Sequence, residues 1–321
     1  MGGAPGSTAR GSRTKRLAAI SLDLDEVHHY RAIYGLPALP RESRAARAVF
    51  EVALPRALGW AERHGARLSL FAVSDDLGHA ANVAALSDAL ARGHEVESHS
   101  ASHPYDLVRR SRAELTREVG ASFDAIERAL GSRPRGFRAP GYTLSDELLD
   151  AVESAGALFD ASLLPSPPYY LAKLAALGAL QSVGRRSASI VGPMRPLFGP
   201  TEPYRPGRPY WERGERELVE IPMRVTPWTR LPVIGTSLGV AGPRVARALV
   251  RACREQETFS LELHGMDFLE RTDGLEELAP HVPELGTPLV ARVDALDAGM
   301  SELAACGFEL TTLREIAQRA R

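Results

Sequence analysis

His99-Ser100-Ala101-Ser102-His103 sets two imidazoles four residues apart, a spacing that lets both rings turn to one side and grip a single metal ion. An anionic partner stands at Asp23-Leu24-Asp25, which closes the apolar run from Leu17 to Leu22. That run reads as a buried strand, and a strand delivers both carboxylates to one edge of a sheet. Two imidazoles and a carboxylate leave a zinc-like ion one open position, where a metal makes hydroxide from water at neutral pH. The set points to a hydrolytic site rather than a structural one.

Each pair follows a predicted strand, His99 coming directly after His94–Ser98. In a barrel of alternating strands and helices the reacting groups gather at the carboxyl ends of the strands. A chain of 321 residues, 44% hydrophobic and 25% charged, can bury one large core. The expected organisation is a disordered leader over Met1–Arg16, poor in apolar side chains, and a single domain over residues 17–321. A net charge of −1 gives no global basic footprint, so nucleic acid is not an expected partner. Cys253 and Cys306 stand alone, with no metal-type spacing and no disulfide framework, and are expected to be buried, reduced and inert. No window is apolar for long enough to span a bilayer, and no cleavage site follows the first apolar run, so the expected location is the cytoplasm.

The hydrophobic pattern alternates along the chain. Helices are expected over 42–64 with a break at Pro55, over 79–92, from the Ser111–Glu114 capping box to Leu130, from Ser145 to Gly156, over 244–255 and over 289–305. Strands are expected over 66–74, 134–140, 157–163, 218–223, 258–264 and 308–312. Alternation implies parallel pairing, and seven or eight units imply closure, giving an α/β distorted barrel. Between 164 and 217 the rhythm fails in a stretch rich in Pro and Gly. It reads as a lid whose Tyr169, Tyr170, Tyr204, Tyr210 and Trp211 suit stacking on a sugar ring. Inside it, Tyr170–Leu180 followed by Arg185-Arg186 reads as a short apolar helix with a basic end. Such a helix packs on a core or docks peripherally on an anionic membrane.

With these strand ends placed, the chain resembles the polysaccharide deacetylase (NodB-homology) superfamily, family 4 of the carbohydrate esterases, over about residues 17–315. Ser21–Asp25 resembles the first motif in its Asp-x-Asp variant, and His99–Pro104 the second. Arg138-Ala-Pro140-Gly-Tyr142 is similar to the third, Phe159–Ser162 to the fourth, and Leu261-Glu-Leu-His264 to the fifth. Two departures stand out. Leu163-Leu164 follow Asp160 where the fourth motif carries a tryptophan, and Gly141 takes a place that is aromatic in many members. The Asp-x-Asp motif resembles the cytoplasmic branch.

The resemblance implies a (β/α)7-8 barrel and a metal-dependent hydrolase that removes an N-acetyl or other N-acyl group from an amino sugar, free or lipid-linked. Asp25, His99 and His103 would hold one divalent ion, zinc by default, with cobalt, nickel, manganese or iron admissible. Asp23 would act as base, with Arg138 keeping it ionised. The Gly141 N–H, with Tyr142 beside it, would meet the oxyanion and substrate. His264 would protonate the departing nitrogen, with Asp160 on its other ring nitrogen. His28, His29 and Asp267 receive no role, and the oligomeric state is not legible. Two other functions fit the same residues: a deformylase or cyclic amide hydrolase, and a silent barrel that binds carbohydrate and metal without turnover.

Overall fold

The computed structural model describes residues 15–40 and 43–321. The expected leader lies outside them except at its end, where Arg16 opens the first strand instead of closing a disordered arm. Eight strands form one parallel sheet: β1 (Arg16–Asp23), β2 (Leu68–Ala72), β3 (Glu95–Ser98), β4 (Gly136–Phe137), β5 (Phe159–Asp160), β6 (Val219–Glu220), β7 (Thr258–His264) and β8 (Phe308–Thr311). Their order is β6-β5-β4-β3-β2-β1-β7, with β8 also on β1. β1 is buried from Leu17 to Asp23, as expected of a strand covered on both faces.

The two-residue strands β4, β5 and β6 fall short of the expected 134–140, 157–163 and 218–223. Pro134, Pro140 and Pro222 lack the N–H that a regular ladder needs. Pairing nevertheless runs past the strand ends: Arg138 N donates to Ser98 O at 3.0 Å, Ala161 N to Phe137 O at 2.9 Å, and Arg224 N to Ser260 O at 3.0 Å. The last bond joins the chain after β6 to β7, and so curls the sheet toward closure.

Helices cover the sheet: α1 (Val27–Ile33), α2 (Leu54–Arg63), α3 (Ala80–Ala91), α4 (Arg112–Leu130), α5 (Asp146–Ser154), α6 (Pro167–Ser182), α7 (Gly235–Ala241), α8 (Pro243–Ala252), α9 (Leu289–Ala305) and α10 (Leu313–Ala320). The expected 42–64 helix does divide at Pro55: Arg44–Arg47 is a 3-10 turn, Val49–Ala53 is π-helical, and regular α2 begins only at Leu54, with Pro55 opening it. Pro55 sits in the first turn, where its missing N–H costs nothing. α4 carries the expected Ser111–Glu114 capping box and ends on left-handed Gly131. Cys253 is buried, whereas Cys306 is half-buried at the end of α9. No described helix is long and apolar enough to cross a membrane.

The 164–217 stretch is irregular after α6, but its aromatics do not all face a ligand. Tyr204 and Tyr210 are buried in the core beside α4 and α5, with the Tyr204 hydroxyl donating to Tyr210 O at 2.7 Å. α6 has no buried residue, so the expected core packing of its leucines is not what the fold does. A hairpin closed at Val225 and Pro232 projects Trp228, 99% exposed and in the left-handed region at φ 65°. Arg230 ties this hairpin to the α6 side by donating to Leu197 O and Gly199 O, both at 3.0 Å.

Candidate active site

The carboxyl ends of β1, β3 and β7, with the loop after β4, converge on one buried cluster. Asp25 Oδ1 lies 3.0 Å from His99 Nε2 and 3.3 Å from His103 Nε2. His99 Nδ1 is 2.7 Å from the Arg138 carbonyl, which can only accept, so that nitrogen carries a proton and Nε2 is the nitrogen turned to Asp25. Both nitrogens of His103 are buried without a hydrogen-bond partner. Burial opposes charge on His103 and outweighs Asp25, which lowers its pKa. Burial also disfavours the Asp25 carboxylate, yet His103 and His99 hold its pKa well below the usual range. Asp25 Oδ1 and the His103 nitrogens are thus buried polar atoms with no hydrogen bond, as ligand atoms for a cation would be. Ligands about 2.1 Å from a tetrahedral ion sit about 3.4 Å apart, close to the separations seen here. The three residues fit a divalent metal.

The His-x-x-x-His segment achieves this as a loop, not a helix. Ser100 and His103 are both left-handed, at φ 70° and 54°, a backbone strain that needs support. The His103 N–H donates to Ser100 Oγ at 3.0 Å, and Ser122 Oγ of α4 donates to Ser100 O at 3.0 Å.

Asp23 stands opposite His264 in the β1–β7 register. Arg138 Nη1 donates to Asp23 Oδ1 at 2.5 Å, and the guanidinium is fixed by Ala161 O at 2.8 Å, Ser21 Oγ at 2.9 Å and the Phe71 ring 4.1 Å away. Burial raises the Asp23 pKa, and Arg138 pulls against it. Asp23 Oδ2 is buried without a hydrogen bond, 3.9 Å from His99 Nε2.

The expected Asp160–His264 contact is not formed. Even round the curled side β6 stands between β5 and β7, and Asp160 instead accepts from Ser162 N and Oγ, both at 2.9 Å. Ser162 Oγ in turn accepts the Ala139 N–H at 2.7 Å, so Asp160 fixes the loop that carries Arg138 and Gly141. The partner of His264 is Glu262, whose Oε1 lies 2.8 Å from Nδ1. Burial opposes charge on His264, but Glu262 prevails and raises its pKa well above the usual value. Sequence reasoning missed Glu262 although a signal existed. It is the acidic residue two before His264 in an apolar strand, and alternation puts both on one face.

Gly141 (φ 64°) and Tyr142 border the same cavity as Asp23, Asp25, His99 and His264. The Tyr142 hydroxyl is 3.0 Å from His264 Nε2, so this tyrosine contacts the candidate acid directly. Lys173 of α6 donates to Gly141 O at 3.2 Å, and burial lowers its pKa to about 8. His29 packs on His103 at 4.2 Å between ring centres, with its pKa pushed to about 2 by burial and by His103. Asp267 accepts the His264 N–H at 2.8 Å and caps the turn that follows β7.

Comparison with known proteins finds likeness in part of the sequence and in the fold. The polysaccharide deacetylase family model matches residues 51–159, a span that holds His99, His103, Arg138 and Gly141 but neither aspartate of β1 nor His264. The crystal structure of a candidate polysaccharide deacetylase from Mycobacterium smegmatis is 18% identical, with a TM-score of 0.58 over 99% of this chain and 94% of that one. One from Pseudomonas aeruginosa PAO1 is 15% identical, with a TM-score of 0.57 over 95% and 91%. No curated protein sequence matches the chain. The family match covers the second and third of the five motifs, and the α/β barrel fold is shared with these two structures.

Proposed function

We propose that the protein is a metal-dependent amide hydrolase that removes an N-acetyl or other N-acyl group from an amino sugar. The observation that carries this reading is the buried cluster of Asp25, His99 and His103, with Asp25 Oδ1 and both His103 nitrogens lacking a hydrogen bond, beside a paired base and acid. Asp25, His99 and His103 would hold the ion, which supplies Lewis acidity and a water of lowered pKa. Asp23 Oδ2 takes the proton of the attacking water as its oxygen bonds to the carbonyl carbon. Arg138 on the other oxygen keeps that carboxylate oriented. The Gly141 loop, held by Ser162 and Lys173, receives the oxygen as charge grows there. The carbon–nitrogen bond then breaks, and His264, held cationic by Glu262, gives its Nε2 proton to the leaving nitrogen directly or through Tyr142. The products are a carboxylate and an amine.

The exposed, largely apolar α6, with Arg185 and Arg186 beyond its end, supports peripheral contact with an anionic membrane, which flotation with anionic liposomes tests. Metal analysis of purified protein is expected to find about one divalent ion per chain, lost in the His99→Ala/His103→Ala double variant. Purified enzyme offered N-acetyl, N-formyl and ureide substrates is expected to cleave the N-acyl sugars. Full metal content in the double variant, or turnover of ureides alone, would overturn the reading.

A further inference from the structure

The candidate catalytic groups Asp23, Asp25, His99 and His264 line the buried end of a 530 Å3 cavity, within the range of small-molecule sites. Its α6 wall has a different character, although Tyr34, Ser189, Thr236, Ser237 and Glu284 border the cavity elsewhere. α6 supplies Ala172, Ala176, Leu177 and Leu180, spaced on one helical face, and Ile33 of α1 and Val282 also border the cavity. Among the described residues lining it, Lys173 is the one lysine or arginine, and its ammonium is already engaged by the Gly141 carbonyl. The α6 wall begins at Tyr169, whose ring lies 6.0 Å from Tyr142, and runs to Leu180, a rise of about 16 Å. Sugar hydroxyls laid along it would lose water and find few partners, whereas an alkyl or prenyl chain would only gain.

We infer that this wall binds an apolar chain, so the amide hydrolysed at the buried end belongs to an amphiphile and not to a polysaccharide strand. The reaction itself rests on the hydrolase reading above, but affinity of the wall for a chain is measurable without turnover. The chain sits either on the acyl carbon or on the amine side, and two substrate series separate these. One is N-acylglucosamines from acetyl to dodecanoyl; the other is alkyl glycosides of N-acetylglucosamine from methyl to dodecyl. In one series kcat/KM is expected to rise about fourfold per added methylene until the wall is filled.

Binding is read independently by displacement of a fluorescent naphthylamine dye with decyl glucoside. Leu177→Glu and Leu180→Glu are each expected to weaken displacement about tenfold or more, while Leu174→Glu, outside the cavity lining on the same helix, leaves it unchanged. Circular dichroism checks folding, and Ala176→Gln replaces either glutamate variant that fails to fold. Hydrolysis of short N-acetyl sugars without chain-length dependence or dye displacement would overturn the inference and leave the hydrolase standing. Dye displacement lost in the wall variants, with no amide cleaved, would do the reverse.

Discussion

Glu262 does for His264 what Arg138 does for Asp23: each is a buried charge that biases the protonation of a group facing the cavity. Because Glu262 raises the His264 pKa, Glu262→Gln should move the alkaline limb of the pH–rate profile down, as the imidazolium is lost at lower pH. The same raised pKa is a stability term that is complete below about pH 6.5 and lost as pH rises through the higher native value. His264→Ala should cost about a hundredfold or more in kcat with the metal still bound, which metal analysis and steady-state kinetics check together. Arg138→Leu strips the cation from a carboxylate that burial already raises, so the acid limb should move up in pH. Leaving that charge buried without its partner should also cost about 3–5 kcal/mol in urea unfolding. That Asp23, Asp25, His99 and His103 would gather was legible because their types, spacing and strand ends suffice to bring them together. Asp160 was misplaced because the identity of a hydrogen-bond partner depends on strand order, which spacing alone does not encode.

At the level of elements, the alternating pattern located all eight strands, and β7 and α9 to the residue. It overestimated β4 and β6, where extended sequence runs on past prolines that interrupt the ladder, and β5, whose expected run of 157–163 holds no proline. α1, α7 and α10 went unread, being too short to build a clear helical period. α6 lacks an amphipathic stripe, so its sequence alone could not say whether it packs inward. Gly136 illustrates a constraint visible only in three dimensions. A Cβ there would stand 2.1 Å from the Phe159 ring, where β4 meets β5. Gly136→Ala should therefore destabilise the protein by about 1–3 kcal/mol through overpacking, read as a lowered Tm. Because Asp160 follows Phe159 directly, the same variant should disturb the Arg138–Gly141 loop and lower activity beyond what the stability loss explains.

Across the whole molecule the three tryptophans occupy three environments: Trp60 is buried with its indole N–H donating to Asp297 at 2.8 Å, Trp211 is half-buried, and Trp228 stands in water at the tip of its hairpin. The left-handed turn holds that indole out, and Arg230 ties its hairpin to the Leu197–Gly199 segment, which also exposes Phe198. The chain thus carries its own optical reporter. Emission from Trp228 should be red-shifted and readily quenched by iodide, and Trp228→Phe should remove that component while leaving the Trp60 signal unchanged. Adding anionic liposomes should move the Trp228 component to the blue and shield it from iodide if this face meets lipid. An unchanged spectrum with liposomes present would place the tryptophan permanently in solvent and remove this face from membrane contact.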